Sequence, residues 1–74
     1  MERDELDLLH SLAVGHDELR HLWGRHQAFE KDLGRLSGVR HPSEAERREM
    51  GKIKRMKLRG KERMQAILDA HRGV

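Results

Sequence analysis

Inner positions in the first half of the chain fall into two registers of seven. Leu12, Leu19, His26 and Leu33 make one, and Gly15, Leu22, Phe29 and Leu36 the other. Such spacing lines up one stripe of a helix that faces a partner helix. It predicts helix over about residues 4–37, with Asp4 as the cap and Gly38 ending it in a left-handed turn. Val14-Gly15-His16-Asp17 interrupts the stripe, because glycine costs about 1 kcal/mol inside a helix and Asp17 can cap a new start. Either a kink near residue 15 or two abutting helices is expected there.

Residues 38–43 read as a turn. Pro42 disfavours helical geometry at His41, and Ser43 with Glu46 three residues later makes a capping box. A second helix over 44–72 follows, with Met50, Ile53, Gly60, Met64 and Ile67 as its inner stripe and Met56 and Leu68 beside it. Two long helices joined by a short turn pack as antiparallel neighbours. The expected fold class is therefore all-α: a coiled-coil-like, antiparallel two-helix hairpin forming one domain over 1–74. If Leu36 faces Glu44, then His26 lies opposite Ile53 and Lys54, Trp23 opposite Lys57, Asp17 and Glu18 near Arg63 and Glu62, and Glu30 and Asp32 near Arg48 and Met50.

Such a hairpin is about 45 Å long and two helices wide, which leaves much of each stripe open. Self-association into a homodimer or tetramer is expected through Leu12, Leu19, Leu22, Trp23, His26, Phe29, Leu33, Leu36, Ile53, Met64 and Ile67. Leu58 projects away from the inner stripe. It is read either as a second contact point for assembly or as a lone exposed leucine.

Composition narrows the class of role. A chain of 74 residues has a thin core. It has no cysteine, so disulfides and thiolate metal sites are excluded. The opening MERDELDLLHSLAVG lacks a basic leader followed by an apolar run, and no apolar stretch approaches the ~20 residues that span a bilayer. A cytoplasmic protein without a membrane partner is expected. Charge is unevenly divided: residues 1–39 hold five Lys/Arg against eight Asp/Glu, and residues 40–74 hold eleven against five.

Histidine is the next candidate for chemistry. His10, His16, His21 and His26 are spaced by six, five and five residues, whereas two ligands on one helix face need separations of three or four. No metal or other cofactor is expected. His26 occupies an inner position, so its imidazole needs a partner, with Glu30 one turn on or a neighbouring chain as candidates. It is read as a pH-responsive interface group or as a structural histidine that sets alignment. Lys57 also falls within the inner stripe, where its stem can lie along Trp23 and its ammonium reach solvent or the indole face. A slender hairpin offers the acidic residues no pocket, so neither an enzyme nor a small-molecule substrate is expected.

The basic residues of the second helix carry the remaining candidate. Arg48, Lys52, Arg55, Arg59 and Arg63 are spaced by 4, 3, 4 and 4 and line one side of it. Such a row can track the phosphates of nucleic acid or another polyanion. Alternatively, the row answers acids on the first helix and fixes how the two helices pair.

Ile53, Lys54, Lys57, Leu58, Lys61, Glu62, Met64, Ile67 and Leu68 resemble the closing run of the YdcH-like family of small bacterial helical-hairpin proteins. Leu22-Trp23-Gly24-Arg25-His26, Phe29, Glu30 and Leu33 resemble its upstream half, and together the two runs cover roughly residues 16–68. The chain departs from the family pattern at Gly60, where leucine is usual, and at Arg63, where glutamate is frequent. The resemblance implies a helical hairpin and no particular activity. On these grounds the expected role is a non-enzymatic interaction or scaffold module, partnered by itself and by another protein, with nucleic-acid binding as the alternative.

Overall fold

The first stripe does not form one rod. In a computed structural model that describes residues 2–73, α1 (Arg3–Ala13) and α2 (Asp17–Ser37) abut at Val14-Gly15-His16, and α3 (Glu44–Arg72) follows the turn. The ends of the expected 1–74 domain, Met1 and Val74, lie outside the described residues. The described residues thus form three helices rather than a two-helix hairpin, the first stripe dividing into the two abutting helices that were one of its two expected outcomes, and no strand occurs among them.

Local hydrogen bonding explains the break. The N–H groups of Gly15 and His16 turn back to the carbonyls of Leu12 and Ala13, at 3.2 and 3.4 Å. His16 is extended, with φ −129° and ψ 98°, and its Nδ1 accepts the Leu19 N–H at 3.1 Å. His16 therefore caps α2, the role expected of Asp17. Asp17 instead stands in the first turn, where its carboxylate favours the helix dipole and binds Arg20 at 2.6 Å. At the start of α1 the capping position is Glu2 rather than Asp4, and no side chain bonds it. Asp4 lies in the first turn, again on the favourable side of the dipole.

The second boundary is built from Ser43. Its Oγ accepts the Glu46 N–H at 3.1 Å, while the Glu46 carboxylate accepts the Ser43 N–H at 2.9 Å, completing the capping box. That hydrogen bonding holds the Glu46 carboxyl below its usual range. Gly38 departs from expectation: it is right-handed, at φ −78° and ψ −9°. The α2 end is closed by a tightened turn, Val39 N–H to the Leu36 carbonyl at 3.2 Å, which needs no left-handed residue. The left-handed cap is Gly73, at φ 77°, beyond α3.

α2 and α3 run antiparallel, with Glu18 meeting Arg63 near one end and the Arg35 charge acting on Glu46 near the other. At about 1.5 Å per residue α3 is about 44 Å long, while α2 is only about 32 Å. The longest dimension of the molecule is 45 Å, so α2 leaves the far end of α3 uncovered. α1 folds back over it. There Leu9, Leu19, Met64 and Leu68 become fully buried, with Leu8, Leu12, Ala13, Leu22, Trp23 and Ile67 packed around them. Part of the cover expected from a second chain is thus supplied by α1 itself. Toward the turn, only Leu36 and Ile53 are buried. No helix among the described residues is long and apolar enough to cross a membrane.

Candidate functional site

Trp23 organises the middle of the hairpin. Its ring stacks on His26, with centroids 5.5 Å apart and planes at 11°, and takes His10 of α1 edge-on at 5.4 Å. His26 is only 16% exposed in its side chain. Its Nε2 lies 3.7 Å from the Glu30 carboxylate, beyond hydrogen-bond length, and its Nδ1 is buried with no partner. Glu30 is drawn instead to the Lys57 ammonium at 2.5 Å, which holds the carboxyl below its usual range. Burial depresses the His26 pKa; Glu30 opposes that effect, while Lys57 and Lys61 reinforce it.

This arrangement corrects the expected register. His26 faces Lys57 and Lys61 rather than Ile53 and Lys54, and Glu30 pairs with Lys57 rather than Arg48. Helical side chains lean toward the N-terminus of their own helix. In an antiparallel pair, two leaning side chains therefore meet between partners whose backbones are not level. Lys57 has its stem beside Trp23 in a common cleft, but its ammonium goes to Glu30 rather than to the indole. Glu18 does meet Arg63, through two bonds of 2.9 Å from the guanidinium to its carboxylate. The pairing lowers the Glu18 pKa and raises that of Arg63.

The flank of the α2–α3 pair away from α1 is an open groove of about 320 Å³. Leu22, Phe29, Met56 and Gly60 make its apolar floor, and Arg25, Lys57, Arg59 and Arg63 surround it. The Arg25 guanidinium lies over the Phe29 ring, 5.4 Å from its centroid. A Cβ at Gly60 would meet nothing within 4 Å, so the missing side chain leaves this floor open.

The positions expected to make an interface divide by depth. Leu19, Leu36, Ile53 and Met64 are buried; Leu12, Leu22, Trp23, His26, Phe29, Leu33 and Ile67 are half-buried; Leu58 is 56% exposed. Leu9 is the core residue that the heptad reading missed. Its signal was the width of the apolar run Leu6, Leu8, Leu9, Leu12 and Ala13, which marks a helix touching two neighbours at once.

In the basic row, Arg63 is bound to Glu18. Among the described residues, no ion pair engages Arg48, Lys52, Arg55 or Arg59, all of which are exposed. Arg48, Lys52 and Arg55 share a shallow surface with Arg47, Glu44 and Glu49, while Arg59 and Arg63 border the groove. Cross-hairpin pairing therefore answers little of this charge. No cluster of three or more His, Asp or Glu among the described residues is placed to hold a metal ion. Compared with known proteins, the chain matches no family model, no curated protein and no solved structure.

Proposed function

We propose that the chain is a non-enzymatic assembly module: a helical hairpin of α2 and α3, braced by α1, that self-associates and presents a charged face to another macromolecule in the cytoplasm. The observation that carries this reading is the open groove. Leu22, Phe29 and Met56 remain half-buried where the pair is two helices thick, whereas beneath α1 the four side chains Leu9, Leu19, Met64 and Leu68 are fully buried. The uneven charge supports a second copy as the cover, since the acidic half of one chain complements the basic half of another. Membership of the YdcH-like family belongs to the same proposal; its matched runs lie on α2 and α3, the two helices that pair. Light scattering after size exclusion is expected to report more than one chain per particle at micromolar concentration. A folded monomer throughout that range would overturn the assembly reading.

The unpaired row on α3 favours a second use, polyanion binding through Arg48, Lys52, Arg55 and Arg59 with Arg63 at its end. Anisotropy titrations with duplex DNA and RNA should then show affinity falling steeply with salt. Arg55→Glu with Arg59→Glu should abolish it, and no binding at low salt would end this reading.

A further inference from the structure

The break between α1 and α2 interrupts the backbone but not the pattern. Leu8, Gly15, Leu22, Phe29 and Leu36 stay at intervals of seven straight through it. Residues on either side are therefore in phase for one continuous rod. Only local contacts hold the break, namely two backbone turns and the His16 cap, and the backbone itself is close to helical: Val14 already has helical angles, Gly15 is not left-handed, and His16 is the extended residue. Val14 is 81% exposed.

The grip of α1 on the rest of the molecule is apolar and aromatic. Among the described residues, no hydrogen bond or ion pair ties it to α2 or α3. Its hold is the apolar contact around Leu9 and the His10 ring set edge-on against Trp23, and docking leaves the Glu5 Oε2 buried without a partner. A buried acceptor without a donor works against the docked state.

We infer that α1 is exchanged between two copies of this chain. Straightening across Val14–Asp17 joins α1 and α2 into one helix over residues 3–37, and Leu9 of each chain seats on Leu19, Met64 and Leu68 of the other. The incoming segment is identical to the one displaced, so the contacts of the closed form are available between chains. Straightening also returns the N–H groups of the first α2 turn to helical partners. The closed monomer and the exchanged dimer then differ chiefly at the hinge and in concentration. This inference rests on the self-association proposed above and gives it a seam of its own, α1 exchange, separate from the groove.

Two hinge variants push the balance in opposite directions. Gly15→Ala fits the closed form, since a Cβ there meets nothing within 4 Å. It favours continuous helix roughly fivefold at each hinge, hence about twenty-five-fold in dimer association. Asp17→Pro suits the first helical position after an extended residue, but clashes inside a straight rod. Sedimentation or light scattering of the full chain across a concentration series, with circular dichroism to verify folding, reads both. The expected result is tighter dimerisation for Gly15→Ala and a helical monomer for Asp17→Pro. Phe29→Lys, in the groove, should still dimerise. If Asp17→Pro dimerises like the parent while Phe29→Lys is monomeric, exchange is overturned and assembly through the groove stands. If the parent and Gly15→Ala are both monomeric at every concentration, both ideas fall. Should Asp17→Pro not fold, an association constant unchanged in Gly15→Ala would by itself overturn exchange.

Discussion

The two ends of the hairpin are built from the same kinds of residue and are buried to different depths. Where α1 lies across α2 and α3, Leu9, Leu19, Met64 and Leu68 have no exposed surface. Toward the turn only Leu36 and Ile53 are buried, while Leu33 and Met50 stay partly open. Leucine spacing does not distinguish the ends. The number of helices meeting there does, because a helix pair covers one side of each stripe and a third helix closes another.

The strongest test of this contrast is truncation in the core. Leu9→Ala and Leu68→Ala should each cost about 2–5 kcal/mol in urea unfolding, since the cavity is walled on all sides. Leu33→Ala, at a half-open position, should cost markedly less. Equal losses at both ends would remove the distinction.

Next in size is the capping box at the thin end. Ser43→Ala should cost about 1 kcal/mol by thermal unfolding. Gly60→Ala in the groove floor should stabilise α3 by up to about 1 kcal/mol, because nothing obstructs the added methyl and alanine favours helix. A destabilised Gly60→Ala would mean that the floor is tighter than its open space indicates.

His26 supplies a smaller effect, between the two ends. Its pKa lies below the ordinary 6.5 in the folded chain, so the folded state takes up a proton less readily than the unfolded one. The associated stability is present above pH 6.5 and is lost as pH falls through the depressed value. Any assembly built on the folded chain should weaken in the same direction, and His26→Gln should lose the response. An unchanged pH profile in that variant would show that the imidazole is not the group responsible.

The exposed Glu18–Arg63 bridge should matter least. Its carboxyl titrates below 4.5, so any contribution is present above that pH and disappears as pH falls through the lowered value. Glu18→Gln should lower stability slightly at pH 7 and by less at pH 3, so that the variant loses less stability on acidification, as measured by unfolding at both pH values.

Much of the candidate site was legible where a single side chain decides the matter, and less so where two must meet. Ser43 and Glu46 announce their box because both partners lie within one helical turn. Glu18 and Arg63 came together within one residue of the expected register, which sets Asp17 and Glu18 opposite Arg63 and Glu62. Glu30 found Lys57 instead of Arg48, since the lean of both side chains shifts the meeting point along the helices. His26 was expected to need a partner; its Nε2 falls short of Glu30, which Lys57 engages, and its buried Nδ1 has none.

By itself the sequence determined that the chain is helical, where the stripe breaks and where the turn lies. Those outcomes depend on caps, glycine, proline and a seven-residue repeat, each acting over a few neighbouring residues. Only the tertiary structure decided that α1 folds back, that Leu9 completes the core, that the groove stays open at Gly60 and that most of the α3 cations go unpaired. These depend on distances between residues far apart in the chain. The same heptad phase serves a bent α1–α2 or a straight one, so local pattern alone could not choose between them.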